Sequence, residues 1–324
     1  MTDVTGVTGV TGTTGNIPLG PGPEFDLVRE LVARYGASGE GIGDDASTLR
    51  VPDGEELLVS TDVAVEDVHF RQSWLTPDEI GYRATMAALS DLAAMAAAPR
   101  GMVVALTLPT RWRANAPAIA DGIARAARVC DVQVIGGDLS GGAALSIAVT
   151  VIGSAKRPLR RSGAQPGDSI WVTGVLGGPA LALRLFLAGG QPVGDMRARF
   201  AAPRARIREA QWLAARGATA AIDISDGLAA DLGHIAAASG VRITLDLDRV
   251  RCVPGATADD AAGGAEEYEL VVTAPGDLDA AAFEREFEIP LTNVGRVEAG
   301  APQVVATTAG VTVGTPPGFN HFGR

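Results

Sequence analysis

A chain of 324 residues in which 47% are hydrophobic and 20% charged is long enough for two ordinary domains, each with its own core. Its formal net charge of -11 argues against a general affinity for nucleic acid or for anionic membrane surfaces. The most apolar stretch, residues 86–109, is interrupted by Asp91, Pro99 and Arg100. It does not offer the roughly 20 uninterrupted apolar residues that a membrane span requires.

Cysteine usage and the first residues of the chain indicate a cytoplasmic protein. Cys130 and Cys252 form neither a disulfide framework nor a metal-ligand spacing, which fits a reducing compartment. Residues 1–23 are a Thr/Gly/Val low-complexity tail without the basic and apolar regions of a secretory signal. We expect this tail to be disordered.

Helices and strands alternate in the predicted first domain, residues 24–155. The first helix ends near Gly36 and carries an apolar stripe at helical spacing, formed by Phe25, Leu27, Val28, Leu31 and Val32. Further helices are predicted from Pro77 to about Ala97, after a Thr-Pro-Asp-Glu start, and over 116–131. Strands are predicted in ELLVST, GMVVALTLP, VQVIGG and LSIAVTVIGS.

The second predicted domain, residues 156–324, begins with a basic, turn-rich boundary, KRPLRRSGAQPGD. Helices are predicted over 178–189, 203–216 and 228–239. Strands are predicted in SIWVTG, RITLDL, YELVVTA and LTNVGRV. The alternation predicts an α/β protein of two domains.

Five acidic clusters recur along the chain, and three of them follow or end apolar, strand-like runs. They are Gly43-Asp44-Asp45, Ser60-Thr61-Asp62, Ser90-Asp91, Gly136-Gly137-Asp138 and Asp223-Ile224-Ser225-Asp226-Gly227. Any one of them alone is typical of a helix cap or a turn. Together, at strand ends where α/β sheets bind ligands, they indicate a shared site.

The side chains in these clusters favour magnesium over zinc. Asp91 lies among alanines in a predicted helix, where a lone carboxylate needs a cation or a donor. The chain has only three histidines and no cysteine pair, whereas zinc prefers nitrogen and sulfur ligands. Magnesium takes one or two carboxylates and the phosphates of its substrate, so many aspartates predict several ions bound with ATP.

The same aspartates suit phosphoryl transfer, which depends more on charge neutralisation and positioning than on a strong nucleophile. The common alternatives lack their motifs. No GxxxxGK[ST] loop and no HRD or DFG sequence is present. The segment GVLGGPALA resembles a dinucleotide-binding turn but lacks the GxGxxG fingerprint.

In their order along the chain, several longer motifs resemble the thiamine-monophosphate kinase family. They are GIGDDAS, STDVAVEDVHF, LSDLAAMAAAPRGMVVALTLP, IGGDLS, RRSGAQPGDSIWVTG, AIDISDGLAADLGHI, GAEEYELVVTAP and a terminal GFNHF. The resemblance extends from about residue 24 to residue 322.

This resemblance implies phosphorylation of thiamine monophosphate to thiamine diphosphate by ATP and several Mg²⁺ ions. The implied transfer is direct, so no catalytic side chain is assigned. The implied fold is that of the aminoimidazole ribonucleotide synthetase-like superfamily. In it, an N-terminal α/β domain binds ATP and Mg²⁺ and pairs in a homodimer, and an α+β domain follows. Thiamine monophosphate and ATP are the implied partners.

The resemblance also implies roles for individual residues. The metal set is Asp45, Ser60, Thr61, Asp62, Asp91, Asp138, Asp223 and Asp226. The ATP contacts are Gly137, Asp138, Arg161 and Ser225, and the substrate contacts are His69, Glu266 and Phe319. On residue patterns alone, His69 also fits a buried structural histidine, and Arg161 a solvated linker residue. His234 is interpreted as structural and away from the acidic loops, and His321 is left unassigned.

Four departures from the family pattern bear on the acceptor. Ala265 and Glu267 replace a glycine and an aspartate, Asp67 stands where glycine is common, and Leu139 follows Gly-Gly-Asp where threonine is usual. Two alternatives therefore stay open: another ATP-dependent enzyme of the superfamily, or a paralogue that binds ATP without kinase activity. The selenophosphate synthetase and hydrogenase-maturation branches are disfavoured, because the reactive cysteine that each requires is missing.

Overall fold

The computed structural model describes residues 22–316 and 318–319, so most of the predicted tail and His321 lie outside the described residues. The first half contains three helices, α1 (Pro23–Tyr35), α2 (Pro77–Ala94) and α3 (Ala116–Val129). Its four strands are β1 (Glu56–Val65), β2 (Ala98–Thr107), β3 (Val134–Ser140) and β4 (Ser146–Ala155). They form one sheet in the order β1-β4-β2-β3, in which only β2 and β3 pair in parallel.

Helix α2 is the central element of the structure. It begins with a capping box in which Thr76 and Glu79 satisfy each other's backbone N–H groups. It ends at Ala94, three residues before the predicted end at Ala97. Nearly all of its side chains are buried, including Ile80, Met86 and Leu89, because the sheet, α3 and the second half surround it.

The sheet of the first half has one covered and one bare face. Along β1, Leu58 packs inward with the core, whereas the side chains of Leu57 and Val59 are 56% and 61% exposed. This alternation is the pattern of a strand with only one buried face. The bare face carries apolar side chains and lies on the side opposite to α2.

The second half contains a seven-stranded sheet in the order β11-β10-β7-β9-β5-β8-β6. Its strands are β5 (Asp168–Thr173), β6 (Ala220–Asp223), β7 (Arg242–Asp246), β8 (Leu270–Pro275), β9 (Leu291–Glu298), β10 (Gln303–Thr308) and β11 (Val311–Val313). Its helices are α4 (Gly178–Leu187), α5 (Gly194–Ala201), α6 (Ile207–Ala215), α7 (Leu228–Ser239), α8 (Ala258–Gly263) and α9 (Ala280–Phe287).

These elements confirm the predicted α/β class and most of the predicted segments. The sequence reasoning missed α5, α8, α9, β6, β10 and β11, most of which are short. Helix α6 begins at Ile207, not at residue 203, because the backbone of Arg206, its N-cap residue, is not helical. The side chain of Arg206 pairs with the buried Glu269. Among the described residues, no helix is long and apolar enough to cross a membrane.

The two halves meet along α2. Ser90 donates a hydrogen bond of 2.7 Å to Asp223 at the end of β6, and Arg83 donates to the carbonyl of Phe200. Arg197 of α5 donates to both carboxylate oxygens of Glu79. Polar side chains on α2 are therefore buried against partners in the second half, which fixes how the halves sit.

Close packing between α2 and α3 requires glycine at two positions. A Cβ on Gly81 would lie 2.1 Å from the carbonyl oxygen of Ile119, and one on Gly122 would lie 1.9 Å from that of Asp78. Gly233, also helical, has open space around it, since a Cβ added there would meet nothing within 4 Å.

We therefore expect Gly81→Ala to lower the free energy of unfolding by about 1–3 kcal/mol, because the helices must separate. Gly233→Ala is the matched control, and we expect it to leave stability unchanged or to raise it by up to about 1 kcal/mol. Urea unfolding measures both changes. Equal stability of the Gly81→Ala variant and the wild type would contradict the tight helix contact.

Candidate active site

A cavity of about 730 Å³ lies between the two halves. The first half contributes polar side chains from β1, from the turn after it and from α2. The second half contributes side chains from the segment after β6, from the segment before β8 and from the C-terminal residues. Among those that line the cavity are Asp62, Asp67, His69, Asp91, Asp223, Ser225, Asp226, Glu266 and Phe319.

The acidic part of the cavity is built where β1, α2 and β6 converge. Ser60 donates a hydrogen bond of 2.5 Å to Asp91, and Ser60 and Asp62 lie on the same, inward face of β1. Burial raises the pKa of Asp91, and the nearby charge of Asp62 raises it further. Three of the predicted metal ligands thus lie together, and their carboxylates repel one another.

Asp223 is the most buried of these carboxylates, with 4% of its surface exposed. Burial, followed by the charge of Asp91, raises its pKa from 3.8 to about 7. Ser90 and the more distant positive charge of Arg161 act in the opposite direction. A shared proton or cation relieves the repulsion between two such carboxylates, and oxygen ligands of this kind fit Mg²⁺.

The segment after β6 brings Ser225 and Asp226 to the cavity wall, as the sequence predicts. One ligand atom each from Asp226, Asp231 and His234 lies within 4.8 Å of the others. The expectation that His234 lies away from the acidic loops is therefore wrong. It fails because His234 lies one helical turn after Asp231, which itself binds the backbone of Asp226.

The other end of the cavity holds the predicted substrate contacts. The backbone N–H of Val65 donates to Nδ1 of His69 at 3.0 Å, so the neutral ring carries its proton on Nε2. Glu266 has a φ of 62° and forms an ion pair with Arg83, which is buried in α2. A left-handed backbone at a non-glycine residue is strained and is typical of functional sites.

An aromatic wall completes this end and was not predicted. Trp74 stacks on Phe186 with ring centroids 5.3 Å apart. It also packs edge-to-face against Phe200, with ring centroids 6.3 Å apart. Leu183 and Leu187 of α4 continue the apolar surface. No local sequence pattern marks these residues, because α4 and α5 reach Trp74 only through the tertiary fold.

Four of the predicted site residues lie elsewhere in the single chain. Asp45, Gly137 and Asp138 line a second cavity of about 610 Å³ on the bare face of the first sheet. Thr61 points to the same face, where its hydroxyl lies 3.0 Å from that of Thr150. One chain therefore does not bring the whole predicted metal set together.

Arg161 borders a third cavity, of about 440 Å³, next to the acidic cluster. The same cavity is lined by Ser60, Asp91 and Asp223. The positive charge of this guanidinium partly opposes the rise in pKa that burial causes in Asp91 and Asp223. Arg161 is placed to contact an anion that approaches the acidic cluster.

The structure also locates the departures from the family pattern. Asp67 has a φ of 65°, which explains why glycine is common there. Glu267 does not line the first cavity; it is buried and accepts a hydrogen bond of 2.5 Å from the backbone N–H of Gly177. Ala265 lines the first cavity and Leu139 the second.

Comparisons with known proteins agree with this architecture. The family described as AIR synthase related protein, N-terminal domain, matches residues 43–155, and its C-terminal domain matches residues 165–306. These matches and the two packed halves define the class as AIR synthase-related proteins, which confirms the predicted fold. The division at residues 155 and 156 stays a prediction.

Individual relatives define the family. A thiamine-monophosphate kinase of Salmonella typhimurium is 36% identical over 326 residues, covering 92% of this chain and 98% of its own length. The crystal structure of thiamine-monophosphate kinase from Stenotrophomonas maltophilia K279a has a TM-score of 0.79 at 35% identity, covering 90% of this chain and 98% of that chain. AaThiL complexed with AMPPCP and TMP has a TM-score of 0.73 at 29% identity, covering 92% of this chain and 96% of that one. The chain belongs to the thiamine-monophosphate kinase family, and the predicted resemblance and the prediction of an enzyme are confirmed.

The buried carboxylate of Asp223 yields a test of the electrostatics. Because its pKa in the folded protein is raised from 3.8 to about 7, its contribution to stability is full below pH 4 and is lost as the pH rises toward 7. Without metal at pH 8, we expect Asp223→Asn to raise the free energy of unfolding by at least about 1 kcal/mol, since one pH unit corresponds to about 1.4 kcal/mol.

Thermal unfolding in chelator measures this change. The control is Asp168→Asn, because Asp168 is also buried but accepts from the backbone of Gln165 and the hydroxyl of Thr219. We expect no gain in stability from it. A loss of stability in metal-free Asp223→Asn at pH 8 would show that the charge of Asp223 is already compensated by the protein.

Proposed function

We propose that this protein transfers the γ-phosphoryl group of ATP to the phosphate of thiamine monophosphate, giving thiamine diphosphate by direct in-line transfer assisted by several Mg²⁺ ions. The observation that carries the proposal is the first cavity. It joins an acidic end, with Asp62, Asp91, Asp223 and Asp226, to an end with His69, Glu266 and Phe319. A relative of known structure has been solved with AMPPCP and TMP.

The acidic end would hold the metal ions. Asp62, Asp91 and Asp223 offer carboxylate oxygens to the same cavity, and Ser60 offers a hydroxyl bonded to Asp91. Ser225 lines the cavity beside them and would contact ATP. Bound Mg²⁺ would neutralise phosphate charge and hold the two phosphates in line. The repulsion between these carboxylates supports the assignment, because a divalent cation is what relieves it.

The other residues would position the two substrates. Arg161 faces the acidic cluster from outside and would contact the ATP phosphates with its planar guanidinium. Nε2–H of His69 would donate to the phosphate of the acceptor. The carboxylate of Glu266 and the ring of Trp74 would face the cationic thiazolium and the aminopyrimidine of thiamine.

The predicted metal ligands lie at two separate cavities of the single chain, and this separation supports a homodimer. In the sheet, β1 with Asp62 and β3 with Asp138 are the two edges, three strand spacings or about 14 Å apart. The bare face between these edges exposes Leu57, Val59 and Val63. A twofold copy that pairs edge β1 with edge β3 would bring the second copy of Asp138 close to the strand that carries Asp62.

An assay of ADP release distinguishes the proposed kinase from the two alternatives, another ATP-dependent enzyme of the superfamily and a paralogue without kinase activity. A paralogue without kinase activity would bind ATP and Mg²⁺ but show no turnover that depends on thiamine monophosphate. The position of Glu267, which contacts Gly177 and does not line the first cavity, favours the kinase. A cytoplasmic location is part of the proposal, supported by the free Cys130 and Cys252.

ADP release with thiamine monophosphate, ATP and Mg²⁺ tests the function. We expect Asp62→Asn to lower kcat/KM by at least about 100-fold, because it removes a charge that the metal requires. Asp53→Asn, at an exposed position in the turn before β1, is the control and should retain activity. Undiminished activity of Asp62→Asn would contradict the metal assignment.

Mixed dimers test the shared site. Asp62→Asn and Asp138→Asn chains, each inactive alone, are co-expressed with different tags. We expect an equal mixture to recover about a quarter of the wild-type activity, since half of the dimers are mixed and each carries one intact site. If Asp62 and Asp138 act within one chain, mixing recovers nothing.

A further inference from the structure

Three consecutive backbone N–H groups in the segment 224–227 donate to one side chain. Oδ2 of Asp231 accepts hydrogen bonds from the N–H of Ser225, Asp226 and Gly227 at 3.0, 3.1 and 3.1 Å. Asp231 is 1% exposed. A buried carboxylate oxygen with three backbone donors fixes the path of the main chain around it.

Asp231, in the first turn of α7, reaches back to the backbone that precedes the helix. The N-cap residue is Gly227, with a φ of 123° and no side chain to accept the free N–H groups. A Cβ on Gly227 would lie 3.0 Å from the backbone of Gly263, so a serine or aspartate cap does not fit there. The N–H of Gly227 itself donates to Asp231, one turn into the helix.

The carbonyl groups of the same segment are bound to the acceptor end of the cavity. The backbone N–H groups of Tyr268, Glu266 and Phe319 donate to the carbonyls of Ile224, Ser225 and Asp226 at 2.9, 2.8 and 3.0 Å. The segment therefore lies between Asp231 on one side and the residues around Glu266 and Phe319 on the other. Two of its residues, Ser225 and Asp226, line the cavity.

We propose that Asp231 is a positioning residue for the reaction: by holding the three N–H groups, it presets Ser225 and Asp226 for the metal-bound nucleotide. The inference rests on the proposed function, in which Ser225 contacts ATP and Asp226 binds Mg²⁺. Without Asp231, the three N–H groups would turn toward water and the segment would leave its path. Preset ligands avoid the cost of ordering the segment when the nucleotide binds.

A set of three variants tests the proposal. Asp231→Ala removes the acceptor, Asp231→Asn keeps a carbonyl oxygen in its place, and Asp168→Ala removes a buried carboxylate that ties another turn in the same domain. Titration calorimetry with a non-hydrolysable ATP analogue and Mg²⁺ measures nucleotide binding without the acceptor. The half-saturating Mg²⁺ concentration for turnover and the midpoint of thermal unfolding are measured in parallel.

We expect Asp231→Ala to weaken analogue binding and to raise the half-saturating Mg²⁺ concentration about 10- to 100-fold. Asp231→Asn should stay within about threefold of the wild type, since the carbonyl oxygen accepts the same N–H groups. Asp168→Ala should lower the unfolding midpoint without changing either binding value. If Asp231→Ala does not fold, Asp231→Ser takes its place, because its shorter side chain loses the same hydrogen bonds.

Three results would overturn the proposal. If Asp231→Ala binds the analogue with wild-type affinity, the segment 224–227 keeps its conformation without Asp231. Equal losses in Asp231→Ala and Asp168→Ala would reduce Asp231 to a stability role. Equal losses in Asp231→Asn and Asp231→Ala would assign the effect to charge and not to the acceptor. Because analogue binding is read without thiamine monophosphate, a failure of the proposed kinase reaction would leave this test intact.

Discussion

Electrostatic repulsion among buried carboxylates is the constraint on which the rest of the structure depends. Asp91 and Asp223 come from different halves of the chain, and each accepts a hydrogen bond from a serine hydroxyl, Ser60 and Ser90 respectively. Burial raises the pKa of both, and a neighbouring carboxylate, Asp62 or Asp91, raises each further. Keeping such groups together lowers the stability of the fold, and binding of a divalent cation restores that stability.

Helix α2 makes this arrangement possible. One of its faces packs on the sheet, another packs on α3, and its polar side chains reach the second half. Arg83 and Asp91 lie two turns apart on it and serve opposite ends of the same cavity. The ion pair of Arg83 with Glu266 and the hydrogen bond of Ser90 to Asp223 tie both ends to one rigid element. The distance between the two ends of the cavity is therefore set by the length of a helix segment.

The elements with long, regular patterns and the residues of the acidic end could be predicted from the sequence. Strand β1 and helices α2, α3 and α7 lie where their periodicity placed them, because each buries a long apolar face. The short α5 and α8 have too few residues for a pattern, and Trp74 meets Phe186 only through tertiary packing. The role of Asp231 could not be predicted either, because it depends on the direction of a buried oxygen and not on its spacing from other aspartates.

In the proposed reaction, the carboxylates of both halves hold divalent cations against the phosphates of ATP. The most direct measurement is a crystal structure with a non-hydrolysable ATP analogue, thiamine monophosphate and Mn²⁺ in place of Mg²⁺, with the metal located by its anomalous scattering. We expect anomalous peaks between the nucleotide phosphates and the oxygens of Asp62, Asp91, Asp223 and Asp226. Peaks away from these side chains, or a nucleotide bound without metal, would contradict it.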